Sequence, residues 1–396
     1  MKIFLRNIHL YLSLAAGLVI MVACLTGAIL VFERELEEGF HPQRYKVSPS
    51  GTPIKLSELI AFAEEALPGS KFFSVKVYTS PNRTVEVLLA APVEKVVTVN
   101  KDREANRIPN KISVSTRPTH TAFVNPYTGK VIEVYSLRSG FFYRVMALHR
   151  WLLGRNDGIG RYIVGISTFL FMFILFTGII LWWPKTRKIF IQRVSIKWDG
   201  NWKRLNHDLH LVLGFYSAIF LFIFAFTAMS WSFQWFNKGI NKITGSSAEF
   251  SAPPSSIETG GLPVTVDSVL NGIQSVVKDA TYYIIKAPQG PLEVYTVILL
   301  PKGANEMKWE SYYVDQFSGK TLGSFKYGDG DAGQRIRAYI KPLHTSAIFG
   351  IPSKVLGFIV CILGVTFPVT GVIMWLNRLK TERRLTRRQL KREISP

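Results

Sequence analysis

The chain carries seven histidines, His9, His41, His120, His149, His207, His210 and His344. His41 and His120 fall in polar stretches and read as solvated. The other five stand at the margins of long apolar runs, where an ionisable side chain is costly unless it has a task. A single imidazole at such a margin usually anchors at headgroup level. Four of these five fall into a pattern. His9 is followed 17 and 18 residues later by Thr26-Gly27, and His210 by Thr227-Ala228 at the same spacing. His149 precedes Thr177-Gly178 and His344 precedes Thr370-Gly371, with Trp182 and Trp375 four residues after the respective glycines. The chain therefore reads as a duplicated unit, and a two-fold axis along the membrane normal sets His9 opposite His210 and His149 opposite His344. Two imidazoles facing across an apolar bundle are the ligand set of a six-coordinate haem iron, with the flat macrocycle filling the space between helices. Zinc would want three or four ligands, and no Asp, Glu or Cys accompanies either pair. Spacing alone leaves copper open.

His207 shares a helix face with His210 three residues away. The repeat register matches His210 to His9 and leaves His207 opposite Arg6, so His207 is read as steadying the inner site or holding a propionate, with its use as the ligand itself kept as an alternative. Arg6, Arg150, Arg204 and Lys341 stand near the four ligands and could pair with haem propionates, although positive residues at interfaces also serve topology.

The elements that position these residues are four windows almost free of charge: Leu10–Phe32, Tyr162–Trp183, Leu211–Trp235 and Val355–Leu376. Each reaches the roughly 20 residues that a helix needs to cross a bilayer. Lys2 and Arg6 flank the first, but it is longer than a signal core and no A-x-A-like site follows, so it reads as an uncleaved helix. The 184–208 connection and the 377–396 tail are rich in Lys and Arg. Positive flanks stay inside. Residues 1–9, 184–208 and 377–396 are thus expected in the cytoplasm, with 34–160 and 236–354 outside. The net charge of +21 comes largely from these flanks, so no nucleic-acid partner is needed to explain it. Trp182, Trp183, Trp231, Trp235 and Trp375 lie at window ends and fit an aromatic belt.

Both outer segments read as small α+β domains. The first has a helix at Lys55–Leu67, strands at Phe73–Tyr78 and Thr84–Leu89, and a polar stretch at 100–118. It closes with a strand–turn–strand over 121–132. The second repeats the order with a helix at Val266–Val277 and strands near Tyr282–Lys286 and Leu292–Leu300, then the same turn within 312–322. The shared turn pattern is aromatic-Val-Asx-x-aromatic-(Ser/Thr)-Gly-Lys. The expected organisation is residues 1–33 (N-terminus and first helix), 34–145 (first outer domain), 146–183 (outer histidine segment and second helix) and 184–208 (basic loop). It continues with 209–235 (third helix), 236–340 (second outer domain), 341–376 (outer histidine segment and fourth helix) and 377–396 (basic tail). Cys24 and Cys361, the only cysteines, fall inside membrane windows and cannot staple the outer domains. There is no C-x-x-C-H, HExxH, Walker loop or helix-opening GxGxxG. Covalent haem, metalloprotease, nucleotide-driven pump and dinucleotide dehydrogenase readings all lose their signatures.

The two turns at 123–130 and 313–320, the run Leu148-His149-Arg150-Trp151-Leu152 and the Thr-Gly pairs resemble the PepSY-associated transmembrane-helix family over nearly the whole chain. Its members include iron-regulated inner-membrane proteins and bacterial ferric-siderophore reductases. Here His9 lacks the Arg-Trp that follows His149, and Ala228 replaces a glycine, departures assigned to the inner pair. The resemblance implies PepSY-like periplasmic domains, two non-covalent b-type haems, and electrons passed outward across the bacterial inner membrane to a ferric siderophore or other ferric chelate in iron acquisition. Arg150, Trp151 and Lys341 are candidates to line the acceptor's cleft. No flavoprotein domain follows the last helix, so a quinol or a separate cytoplasmic protein is the expected donor. Two rivals stand beside this oxidoreductase. One is a haem-free scaffold whose outer domains bind a peptide, protease or transport partner. The other is a transporter, which the windows disfavour because they hold no carboxylate for a coupling ion.

Overall fold

A computed structural model of the chain describes residues 2–93, 113–114, 117–246, 254–256, 261–305 and 307–394. Most of the polar stretch at 100–118 lies outside them. Eight helices carry the architecture: α1 (Lys2–Val31), α2 (Leu56–Ala66), α3 (Phe141–Trp151), α4 (Ile159–Trp182), α5 (Gly214–Ser232), α6 (Val266–Val276), α7 (Ala332–His344) and α8 (Ile351–Ile394). Eight strands accompany them: β1 (Lys71–Tyr78), β2 (Val85–Ala90), β3 (His120–Val124), β4 (Val131–Ser136), β5 (Ala280–Lys286), β6 (Tyr295–Pro301), β7 (Glu310–Val314) and β8 (Thr321–Lys326). The chain divides into two compact units.

The spanning unit is Met1–Glu33, Arg144–Gly245 and Ile336–Pro396. It holds four helical runs long and apolar enough to cross a bilayer: Lys2–Val31, Ile159–Trp182, Trp202–Ser232 and Ile351–Arg387. Thus the chain is a multi-pass membrane protein whose spanning helices need a lipid environment. All four windows read from the sequence are there, and three of the helices run well beyond them. α8 continues through the basic stretch to Ile394, so the expected tail is mostly a helical extension. The third run is not uniform. A short helix, Trp202–Asp208, passes into a π-helical turn at Leu209–Leu213 before α5 begins. In the packing, α1 lies against α4 and α8, and α5 against α4 and α8, so the helices close a ring. Small residues serve these contacts: Ala16, Ala28, Ala218 and Ala225 are buried, with Ile20, Leu221 and Val360 between them.

The sheet unit is Arg34–Tyr143 and Ser246–Arg335. The sequence suggests two separate outer domains, and here the structure corrects it. The eight strands form one antiparallel sheet in the order β8-β7-β6-β5-β1-β2-β3-β4. The two halves join where β1 pairs with β5, Ser74 opposite Lys286 through Tyr78 opposite Tyr282. That junction turns two edge strands into central ones, which removes two rows of unpaired backbone groups. α2 and α6 cover one face, and a single apolar core runs through both halves, with Leu59, Val75, Val87 and Leu89 beside Ile273, Ile285, Val297 and Leu299.

The two turns have the same geometry. Asn125 donates to the Lys130 carbonyl at 2.9 Å and Asp315 to the Lys320 carbonyl at 2.9 Å. Gly129 and Gly319 take φ of 71° and 69°, a left-handed conformation that glycine adopts without a Cβ penalty. Each turn also receives the segment that leads into its helix: Ile54 donates to Pro126, and Val264 to Gln316, both at 2.8 Å.

Candidate functional site

The four paired histidines all lie in the spanning unit, each half-buried and each tied through Nδ1 to a threonine of another helix. His9 on α1 reaches Thr177 Oγ1 at 3.0 Å and the Ile174 carbonyl at 3.1 Å, both on α4. His149, at the end of α3, reaches Thr26 Oγ1 at 2.9 Å and the Ala23 carbonyl at 3.0 Å on α1. The second half repeats this. His344, closing α7, reaches Thr227 Oγ1 at 3.0 Å and the Phe224 carbonyl at 3.1 Å on α5. His210, within the π-turn, reaches Thr370 Oγ1 at 2.8 Å on α8.

These contacts fix the tautomer. A carbonyl can only accept, so Nδ1 of His9, His149 and His344 must carry the proton. The threonine hydroxyls agree, because each spends its own hydrogen on a carbonyl four residues back: Thr26 on Val22 (2.7 Å), Thr177 on Phe173 (2.8 Å), Thr227 on Ile223 (2.6 Å) and Thr370 on Thr366 (2.9 Å). The hydroxyl is left as an acceptor toward the imidazole, His210 included. Nε2 is therefore the bare, basic nitrogen on all four rings, and among the described residues no hydrogen bond reaches it. A donated Nδ1 proton with a free Nε2 is the state in which histidine binds a metal.

The threonines stand in the sequence as markers of the repeat; their partnership with the imidazoles is not visible there. The pairing also runs opposite to the spacing. Thr26 lies 17 residues after His9 yet serves His149, and Thr227-Ala228 serves His344. The Ala228 departure therefore falls on the outer pair and not on the inner one. The neighbouring glycines complete the cradle. A Cβ added at Gly178 would stand 3.3 Å from His9 Cε1, one at Gly27 3.4 Å from His149 Cε1, and one at Gly371 3.5 Å from His210 Cε1. These gaps sit at the edge of ordinary contact, which explains why an alanine is tolerated at 228.

His149 and His344 have ring centres 6.1 Å apart and an interplanar angle of 65°. A metal sits about 2 Å from an imidazole nitrogen, and that nitrogen roughly 1.1 Å from its ring centre, so two rings flanking one metal have centres about 6 Å apart. The donor set fits a bis-histidine cofactor. Among the described residues no group of three or more His, Cys, Asp or Glu could hold a metal ion alone. Around the outer pair, Trp231 meets the His344 ring edge-on at 4.9 Å. In the other pair His210 meets Phe367 at 5.7 Å.

The remaining candidates divide. His207 is exposed and its Nδ1 faces Asp208 at 3.4 Å. Arg204 is held by the same carboxylate at 2.8 Å. Asp208 is buried and lies in the third helical run, just outside the window read from sequence, so the windows themselves hold no carboxylate. Buried Asn206, also unforeseen, donates to the Thr370 carbonyl at 3.1 Å and steadies the residue that holds His210. Arg6 and Lys341 are exposed. Arg150 stands over the ring of buried Trp151 at 5.2 Å. Burial, and then the like charge of Arg161, hold the Arg150 guanidinium below its ordinary value. Trp182 is not a belt residue. It is buried and stacked on Phe215 at 3.7 Å. His41 and His120 belong to the sheet unit and are half-buried, with Thr119 Oγ1 2.9 Å from His120 Nδ1. Cys24 and Cys361 are free and buried.

No curated protein matches the chain. The family model for the PepSY-associated TM region matches residues 6–378, from the turn before His9 to two residues past the last window, and the chain belongs to that family.

Proposed function

We propose that this protein is a di-haem b-type electron conduit of the bacterial inner membrane that reduces a ferric chelate, such as a ferric siderophore, on the outer face. The observation that carries the reading is the set of four imidazoles, each fixed through Nδ1 with Nε2 free, the outer two 6.1 Å apart. His149 and His344 would hold the outer haem, His9 and His210 the inner one. His210 is preferred to His207 because it has the threonine partner that the other three ligands have, while His207 turns to Asp208. Bound between paired imidazoles, haem supplies one-electron ferric/ferrous chemistry. The chain's own part is to orient the rings, keep their Nδ1 protons in place, and surround them with apolar helix. The duplicated helix–domain–helix architecture supports the two-fold placement, and the clustered Lys and Arg at 184–208 and 377–392 support cytoplasmic termini.

The test is a haem assay on full-length protein made with adequate iron, which should approach two per polypeptide. A colourless, stably folded protein would sink the reading. Reporter fusions at Gly200 and Gly303 should report cytoplasm and exterior respectively; the opposite label at either site breaks the topology. For the acceptor, the anaerobically reduced protein is mixed with a ferric siderophore, following haem reoxidation together with Fe(II) capture. Variants of the outer pair should retain a reducible inner haem yet fail to reduce the chelate. The rival reading, a haem-free scaffold, would move function to the sheet unit, where Leu36, Phe40, His41, Tyr135, Phe141 and Phe142 line a mainly apolar hollow. The colour of the purified protein separates the two.

A further inference from the structure

We infer that Trp151, Arg150 and Arg161 form a seat for a carboxylate beside the outer histidine pair. Trp151 is only 8% exposed, and its indole nitrogen is buried without a hydrogen-bond acceptor among the described residues. An indole N–H can only donate, and leaving it unmet in a buried place is costly. The backbone that carries it is fixed on both sides. The next two residues, Leu152 and Leu153, take left-handed φ of 52° and 63°, and the Trp151 carbonyl packs so closely on Gly160 that a Cβ there would overlap it. The donor is held in place and wants an oxygen.

Two guanidinium groups belong to the same cluster. Arg150 lies over the Trp151 ring, and Arg161 follows Gly160, which packs against the Trp151 carbonyl. Arg161 is itself positioned by Nη2 bonds to the carbonyls of Trp231 and Ser232, at 3.1 and 3.3 Å. Trp231 in turn packs on His344, and Arg150 follows His149 directly, so the cluster adjoins the outer pair. Neither arginine has an acidic partner among the described residues. The nearest acid in sequence, Asp157, is exposed and paired with Arg155. Two arginines without an acidic partner among the described residues, in one cluster with an orphan N–H donor, match an anionic oxygen ligand. A guanidinium fork favours the planar carboxylate. Such a carboxylate has two sources: one carried on the edge of the bound cofactor, which rests on the haem reading above, or one on a free polycarboxylate chelate, which does not.

The experiment uses full-length protein, wild type and the variants Trp151→Phe, Arg150→Gln and Arg150→Lys. In the first arm, haem-depleted protein is reloaded with haemin or with haemin dimethyl ester, whose carboxylates are masked. Uptake at the outer site is followed by its absorption band. If the cofactor supplies the carboxylate, wild type prefers haemin by at least about tenfold. Trp151→Phe and Arg150→Gln lose that preference, and Arg150→Lys recovers part of it. In the second arm, gallium(III) citrate, which is redox-inert, is titrated calorimetrically. If the seat takes a free chelate, the same variants bind it at least about tenfold more weakly. A protein that takes up no haem defeats the conduit reading, while the citrate arm still decides the seat. If the variants keep wild-type behaviour in both arms, there is no carboxylate seat.

Discussion

The sheet unit and the spanning unit both bury polar groups, and two sets of them are satisfied in opposite ways. In the sheet unit the two best-buried charged side chains close their networks. Arg44, 4% exposed, is gripped by Glu133 at 2.7 Å and Glu37 at 2.9 Å. Asp315, equally buried, accepts from the Ser256 hydroxyl, the Phe317 and Ser318 amides at 3.1 and 2.6 Å, and the Ser318 hydroxyl at 2.7 Å. At the paired histidines and Trp151 of the spanning unit the networks stop half-way. Among the described residues each paired imidazole has its Nδ1 partner and no hydrogen bond at Nε2, and the Trp151 N–H has no acceptor. A closed network serves stability. An open valence on a well-held side chain points to a ligand, because a polar group left unmet in a low-dielectric place is costly.

The sharpest way to break that comparison is to remove a group with an open valence and one with a closed network. On the proposed di-haem reading, His344→Ala should abolish one of the two haems and leave the sheet unit intact, measured by haem content together with the unfolding transition. Asp315→Ala should do the reverse, lowering the stability of the sheet unit by roughly 2–3 kcal/mol while the haem spectrum stays unchanged. Acid adds a sign. Burial opposes ionisation of Asp315, but the hydrogen bonds from Ser256, Ser318 and Phe317 outweigh it and hold the carboxyl well below its ordinary 3.8. Its contribution is therefore full above about pH 4 and fades as the pH falls below that. Wild type and Asp315→Ala should differ most near neutrality and converge in acid. A gap that widened in acid would overturn the assignment.

Within the spanning unit, the two histidine pairs differ in how redundantly Nδ1 is held. His9, His149 and His344 each have a carbonyl as well as a threonine, whereas Thr370 is the partner of His210. Thr370→Val should weaken haem at the inner site by about 10–100-fold, the range for losing a ligand's outer hydrogen bond. Thr370→Ser should restore it. Thr26→Val should cost less, because the Ala23 carbonyl still holds the His149 proton. Equal losses at both sites would show that the carbonyls contribute nothing.

Much of this was legible in the sequence, and what was not has a common cause. Charge-free windows, amphipathic helices and the Gly129 and Gly319 turns are local signals, and all appear in the fold within a few residues of where the pattern puts them. The β1–β5 junction is not local. Nothing in Ser74–Tyr78 says that it will pair with residues some 200 positions away. α3 and α7, which deliver His149 and His344, are polar enough to fall outside any membrane window. The threonine partners were visible only as repeat marks, since spacing along one helix cannot say which neighbouring helix will face it. The π-turn at 209–213, which sets the facing of His210 relative to His207, has no sequence signature here at all.

The smallest expected effect concerns the glycines. Gly178 leaves 3.3 Å between an added Cβ and His9 Cε1, which is tighter than ordinary contact. The His9 ring must then shift by a few tenths of an ångström while Thr177 and Ile174 keep hold of its Nδ1. Such overpacking by one methyl costs about 1 kcal/mol, so Gly178→Ala should weaken inner-haem binding only a few-fold. Gly371→Ala, with a 3.5 Å gap at His210, should be nearly silent. The outer site already contains its own control: Ala228 carries the methyl beside the residue that holds His344, and Ala228→Gly should leave haem content unchanged. If instead Gly371→Ala ejects the inner haem, the cradle is tighter than these distances allow. The glycines would then be there for the cofactor and not for the imidazole.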